Sequence, residues 1–314
     1  MRGNYSKAAW PIFCLILAVG LIQRSLFAQA TTATPFSVTI PYTTNDPTVP
    51  YGLPLVQVQL DGNVSATFVI DTGTNPSYIS DTLAKKLALK PTKYEPVGKP
   101  YVVNGKPAQS VSVPRLDISG LHLVNPTLLV MDDKILSSLP QHPVDGIIGI
   151  NILRSFTLLC DFLHHHIVMS YPGLTAEDIA KSSFKDAVAI PLDFSPANSL
   201  FSAKVEVKDG IFASTASLRI DTGAGLTSIP ANAARQLKLV SVQKYNTFLL
   251  SGIVEMNKAF VSSFRLGTVV YQNQQATFVS QEAVEYPNGL GMDFFNSRVV
   301  LMDFPQKKMY VLVP

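Results

Sequence analysis

Charge is scarce in this chain. Only 15% of its 314 residues are Asp, Glu, Lys or Arg, while 47% are hydrophobic. A disordered chain needs the reverse balance, and a coiled coil needs heptads laced with charge, so both are excluded. Cysteine is nearly absent, with two residues. Cys14 falls in an N-terminal apolar run, which leaves Cys160 alone in the rest and excludes an internal disulfide there. Cys160 stands in the apolar run Thr157-Leu158-Leu159-Cys160-Asp161-Phe162, where a buried inert thiol is expected rather than a nucleophile. An excess of one charge sign is missing too. The net charge is +3, and Arg2, Lys7 and Arg24 account for it. The remainder is neutral, so no nucleic-acid partner is expected. Beyond residue 30 no apolar run reaches the roughly 20 residues that a spanning helix needs. No glycine-rich phosphate loop joins a strand to a helix, and no spacing marks a Ser-His-Asp triad. No cofactor is expected.

Turn formers are plentiful, with 18 Gly and 22 Pro, as a β protein requires. The start reads as a secretory leader. Residues 1–7 are a positive n-region, residues 8–22 are apolar, and Ala28-Gln29-Ala30 offers small residues to a signal peptidase. Cleavage is expected after Ala30. Gln23 and Arg24 cut the apolar run short of a retained membrane anchor. The mature chain is expected to be secreted or periplasmic, with no stable membrane insertion.

The chain repeats itself. Phe68-Val69-Ile70-Asp71-Thr72-Gly73 is matched by Leu218-Arg219-Ile220-Asp221-Thr222-Gly223, at an offset of 150 residues. Upstream, Val38-Thr39-Ile40-Pro41 parallels Val188-Ala189-Ile190-Pro191. Downstream, Ala84-Lys85-Lys86-Leu87 parallels Ala234-Arg235-Gln236-Leu237. Near the end of each half, Asp145-Gly146-Ile147-Ile148-Gly149 parallels Asn288-Gly289-Leu290-Gly291, and Leu159-Cys160-Asp161-Phe162 parallels Leu301-Met302-Asp303-Phe304. A long repeat of this kind marks two similar units. The expected boundaries are a leader at 1–30, an N-terminal lobe at 31–172, a linker at 173–185 and a C-terminal lobe at 186–314. Thr175 and Asp178 suit a cap on a short helix in the linker.

Val56, Val58 and Leu60 alternate with Gln57 and Gln59 before Asp61-Gly62, which predicts a strand entering a tight hairpin. A second apolar strand runs into Asp71-Thr72-Gly73. Ser80 is placed to cap a short helix carrying Leu83 and Leu87, and Pro230 stands near the start of its counterpart. Further strands are expected over 110–113, 127–131, 157–162 and 167–171. Each half is mainly β with one or two short helices.

One Asp-Thr-Gly means little, since an Asp in a turn often caps its own backbone. Two copies, each behind an apolar strand, would hold two charges in a largely dry setting. Carboxylates brought face to face cannot both ionise and must share a proton. Such a pair titrates as a unit. Its ionised member draws a proton from water while its protonated member donates to a carbonyl oxygen, which is general acid–base hydrolysis without a covalent intermediate. A threonine hydroxyl is suited to bond across to the opposite loop. Glycine lets a backbone N–H approach a carboxylate without a Cβ in the way.

At these residues the sequence resembles the retropepsin-like and pepsin-like aspartic proteases, over nearly all of 36–314. The resemblance implies an all-β fold of two tandem retropepsin-like β-barrel lobes with short helices, related by a pseudo-two-fold axis. It implies an endopeptidase acting on a peptide or protein held in extended form. Asp71 and Asp221 would be the catalytic dyad. Thr72 and Thr222 would make crossed hydroxyl bonds, and Gly73 and Gly223 would complete the turns. Thr74 follows the first motif and Ala224 the second, so the two aspartates would be unequal, with Thr74 making Asp71 the easier to ionise. The resemblance also implies a β-hairpin flap over the cleft, for which Asn104-Gly105 and Ser251-Gly252 are candidates, Asn-Gly being the stronger turn signal. The chain departs from pepsins in its smaller lobes and lack of disulfides. It departs from retroviral enzymes in carrying both lobes itself. Gly289-Leu290-Gly291, where the first half has Ile147-Ile148-Gly149, puts the packing behind Asp221 in question, and Asn288 opposite Asp145 marks Asp145 as structural.

His164-His165-His166 would point to alternate faces of a strand and reads as an exposed hairpin tip, so no metal is expected. Asn63-Val64-Ser65 fits the glycosylation triplet of a eukaryotic secretory chain. The near-equal lobes and short link favour a monomer over lobes paired between chains. The chief alternative is a catalytically inactive protein that keeps the fold and binds peptides or proteins.

Overall fold

A computed structural model describes residues 36–44, 51–93, 102–103, 106–136, 143–172, 178, 182–184, 186–249, 252–279 and 288–312. The leader, Thr175 of the linker, and Asn104, Gly105 and Ser251 of the flap candidates lie outside them. Residues Phe36–Pro314 form one compact unit. Among the described residues no helix is long and apolar enough to cross a membrane.

The architecture is all-β with short helices. In the first half, strands Pro54–Leu60 and Val64–Ile70 pair antiparallel, Leu60 facing Val64. The turn between them needs left-handed backbone, and Asp61 (φ 49°) and Gly62 (φ 78°) supply it. Val56, Val58 and Leu60 are buried, and Gln57 and Gln59 are exposed, so alternation sets the face. The strand Val64–Ile70 then pairs in parallel with Gly146–Ile148, which also pairs with Tyr78–Ser80. Phe212–Ile220 and Gly289–Leu290 repeat this pairing in the second half. Each parallel pair therefore ends beside an Asp-Thr-Gly.

The helix Asp81–Lys86 begins where Ser80 accepts a bond from the Leu83 N–H. Its counterpart Ala231–Gln236 begins at Pro230, which has no side chain to cap with but fixes φ near −59°. Strands Ser110–Ser112, Thr127–Met131, Thr157–Asp161 and His166–Tyr171 stand within a residue or so of their expected ranges.

The halves are tied by a shared six-stranded sheet in the order Phe36–Pro41, His166–Tyr171, Thr157–Asp161, Val299–Asp303, Lys308–Val311, Val188–Pro191. Three strands come from each half. The central pair is antiparallel with Leu159 opposite Leu301, the two members of one repeat match, so a two-fold relation passes between them. One face of this sheet sends Leu158, Cys160, Ile167, Met169, Val300 and Met302 into the main core. Burial of each large aliphatic chain stabilises by about 1.5–3 kcal/mol. On the other face Leu301 and Tyr310 pack with Phe184. Cys160 is free and buried, and burial pushes its thiol up, as an inert core thiol requires.

Candidate active site

Each aspartate leaves the end of its apolar strand and is held there by backbone. The Asp71 N–H donates to Ile148 O and the Asp221 N–H to Leu290 O, at 3.0 and 3.1 Å. The late glycines allow this closeness. A Cβ on Gly149 would lie 2.6 Å from Thr74 O, and one on Gly291 would lie 2.6 Å from the Leu226 carbonyl carbon. Beneath each loop sits a buried hydroxyl. Ser77 Oγ accepts from the Gly149 N–H and donates to Asn151 Oδ1, and Thr227 Oγ1 accepts from the Gly291 N–H and donates to Asp293 Oδ1. The same frame thus supports both loops, although Gly289 replaces Ile147 in the strand behind Asp221.

The two loops meet. Thr72 N–H donates to Thr222 Oγ1 at 3.1 Å, and Thr222 N–H donates to Thr72 Oγ1 at 3.2 Å. Thr72 Oγ1 in turn donates to Ile220 O at 2.9 Å, and Thr222 Oγ1 to Ile70 O at 2.7 Å. Gly73 N–H bonds Asp71 Oδ1 and Gly223 N–H bonds Asp221 Oδ1, at 2.8 and 3.2 Å. A Cβ on Gly73 would overlap the carboxyl of Asp221, and one on Gly223 would overlap that of Asp71. Each carboxylate therefore lies against the glycine of the other loop. Both aspartates are buried, at 7% and 5% exposure.

Electrostatics follow from this approach. Burial first, and then the negative charge of Asp221, push the Asp71 carboxyl up to about 7. Thr74, Arg219 and the Gly73 N–H pull it the other way without prevailing. Arg219 donates from Nε and Nη2 to Asp221 Oδ2, at 3.1 and 2.7 Å. Thr74 acts on Asp71 in the expected direction, lowering it, but burial and the charge of Asp221 outweigh its hydroxyl.

Two family models match this chain, one described as aspartyl protease over residues 56–152 and one as a gag-polyprotein aspartyl protease over residues 212–297. The chain carries two aspartyl protease domains in tandem. Each match spans one Asp-Thr-Gly loop, its helix and its late glycine, so the retropepsin-like repeat and the family assignment coincide. Among solved structures, conglutin gamma, a basic 7S globulin from lupine seeds, is similar at a TM-score of 0.53 and 11% identity, over 89% of this chain and 95% of that one. At that identity the likeness shows the fold, which is shared across both domains. A search of curated proteins gives no match.

The remaining candidates are placed as follows. Val102–Val103 and Lys106–Pro107 pair antiparallel, flanking Asn104-Gly105. Gln243–Leu249 pairs with Gly252–Leu266, Leu249 facing Gly252, so Gly252 belongs to the strand and not to the turn. Ala224 closes the second loop, its N–H donating to Asp221 O at 3.3 Å. Asp145 is structural: its Oδ2 accepts from the Thr67 N–H at 2.9 Å. His164 Nδ1 lies 2.8 Å from Asp161 Oδ2 and His166 Nε2 lies 3.7 Å from it, and no metal-binding cluster occurs among the described residues. A cavity of about 380 Å³ lies off the carboxylate pair, against Tyr51, Thr227, Gln275, Asp293, Asn296 and Arg298. Arg219 is the residue that reading the sequence missed. Its signal is a charge in an apolar strand, opposite Val69 in the repeat, two residues before Asp221 and thus on the same face.

Proposed function

We propose that this chain is an exported aspartic endopeptidase whose water is activated by Asp71 and Asp221, one from each lobe. The observation that carries it is the crossed packing of the two loops, each carboxylate against the other loop's glycine. Two buried carboxylates at that approach hold one proton between them. The ionised one accepts a proton from water, and the water oxygen bonds to the substrate carbonyl carbon. The protonated one gives its proton to the carbonyl oxygen. Collapse of the tetrahedral diol breaks the C–N bond as a proton passes to the leaving amine. No covalent enzyme intermediate forms.

A peptide bound in extended form would add main-chain bonds to the strands on either side of the hairpin positions. The leader pattern in residues 1–30 supports export, and the shared sheet between the halves supports a monomer that supplies both aspartates itself. A second reading, a binding protein without turnover, draws on the ion pair of Arg219 with Asp221, which occupies one carboxylate oxygen of the pair.

Cleavage of a mixed peptide library across pH separates the two. Wild type is expected to cleave, and Asp71→Asn and Asp221→Asn to be silent while folded. Full activity in either variant would sink the shared pair, and a folded wild type that never cleaves would favour the binding protein.

A further inference from the structure

Three of the second half's departures from the first stand beside its aspartate. Val69, Thr74 and Ile147 become Arg219, Ala224 and Gly289. Strand register makes them counterparts, since Val69 faces Ile147 and Arg219 faces Gly289. In the first half the Thr74 side chain is hydrogen-bonded to Asp71. Ala224 has no hydroxyl to offer Asp221. The Oδ1 of Asp221 takes the Gly223 N–H, and its Oδ2 takes both Arg219 bonds.

Gly289 completes the exchange. A Cβ there would stand 3.2 Å from Asp221 Cβ and 3.5 Å from Asp221 Oδ2. The rest of an isoleucine side chain would crowd the carboxylate that Arg219 grips. The three changes act as one: a hydroxyl is removed, a guanidinium arrives, and the space beside it is cleared.

We propose, on the footing of the dyad reading above, that Arg219 is a positioning residue that replaces the hydroxyl missing at Ala224, keeps the pair's negative charge on Asp221 and leaves the shared proton on Asp71. A charge-assisted bond to an ionised carboxylate is roughly twice as strong as a neutral one, and two converge here on one oxygen. Among the described residues the charged groups facing the pair are Arg219, on the strand Phe212–Ile220, and the opposite aspartate on each loop. The cation touches Asp221 and only acts at a distance on Asp71, so it breaks the tie between them. Burial and the neighbouring charge, which raise Asp71 to about 7, act in the same sense. Asp221 then takes the proton from water and Asp71 donates to the carbonyl oxygen. The one-proton state extends toward neutral pH at its upper edge and is protected by Arg219 at its acid edge.

The test is carbon-13 NMR of aspartate-labelled protein across pH, which follows both carboxyl carbons and needs no turnover. In wild type the later of the pair's two steps is expected at Asp71 and the earlier at Asp221. In Arg219→Gln the order is expected to weaken, and the acid limb of kcat/KM to move up by about one pH unit, a roughly tenfold loss of activity on that limb. Arg219→Lys, which keeps the charge, is expected to restore the limb. A merely structural arginine would lower stability and rate at all pH values and move neither limb. The later step at Asp221 in wild type overturns the proposal, as does an Arg219→Gln protein with unchanged titration order and unchanged acid limb. If the order holds and no peptide is cleaved at any pH, the protease reading fails and the role of Arg219 stands.

Discussion

Thr72 and Thr222 exchange hydrogen bonds across 150 residues of sequence, each backbone N–H donating to the other's hydroxyl. Each hydroxyl is also a donor, to Ile220 O and Ile70 O. All of these groups are buried, so a missing partner leaves polar atoms dry. Thr72→Val keeps the shape and removes the hydroxyl, stranding the Thr222 N–H and Ile220 O. Each stranded group costs about 1–3 kcal/mol. Urea unfolding should show a loss of roughly 2–6 kcal/mol for Thr72→Val, and little for Thr72→Ser, which keeps the oxygen. Equal losses in both would remove the hydroxyl from the argument.

Gly73→Ala tests the closeness of the pair. Its Cβ would overlap the Asp221 carboxyl, a group fixed by Gly223 and Arg219 and unable to swing freely. The variant is expected to fold, by circular dichroism, and to lose peptide cleavage by at least about a hundredfold, because a displacement near 1 Å at the reacting groups is that damaging. Gly210→Ala, at a hairpin tip with nothing near its Cβ, serves as the control and should retain cleavage despite some strain from φ 55°.

Asp71 links stability to pH. Its carboxyl stands at about 7 in the folded chain against an ordinary value of 3.8. The folded chain therefore keeps a proton that the unfolded chain releases between those values. The stabilisation is complete below the unfolded value and is lost as pH rises through the folded one. The whole difference corresponds to at most about 4 kcal/mol. Asp71→Asn carries no such proton. Relative to wild type it should gain about 1–4 kcal/mol between pH 4 and pH 7.5, read from urea unfolding at several pH values. A difference that stays flat with pH would contradict the raised carboxyl.

Asp293 offers a second case away from the pair. Its Oδ1 accepts from the Thr227 N–H and Oγ1, at 2.7 and 2.6 Å, while its buried Oδ2 has no hydrogen-bond partner among the described residues. Burial, opposed by the two Thr227 bonds, pushes it up to about 6. The first half does the same work with Asn151, whose Oδ1 takes Ser77 and whose Nδ2 donates to Thr127 O. Asp293→Asn should therefore keep the loop support and remove a buried ionisation. Its stability should match wild type near pH 4 and exceed it by roughly 1–3 kcal/mol at pH 8. A loss at pH 8 would show that the charge at Asp293 is needed.

The repeat made much of this protein legible. Alternation along residues 56–60, the Asp-Gly turn and the serine before Leu83 each name a local structure, because each is decided by neighbours in sequence. The late glycines were readable as a repeat but not as a need, since Gly149 and Gly291 are required only by loops 75 and 67 residues before them in the chain. Ser77 with Asn151 and Thr227 with Asp293 were not legible as pairs, because nothing local separates a buried polar residue from a solvated one. The asymmetry between Thr74 and Ala224 was legible, but Arg219 was not, because it reaches Asp221 through a side-chain direction that only the strand sets.

The sequence by itself determined that two similar β units exist and that each delivers an aspartate from an apolar strand. Local pattern and self-similarity suffice for that, since both are properties of neighbouring residues and of spacing. The tertiary structure decided that the two loops cross, that each carboxylate rests on the other loop's glycine, and that Arg219 reaches Asp221. Those facts arise between residues on different strands and different halves, where the shared sheet sets distances of a few ångströms. At that range burial and charge, not composition, determine which carboxyl holds the proton.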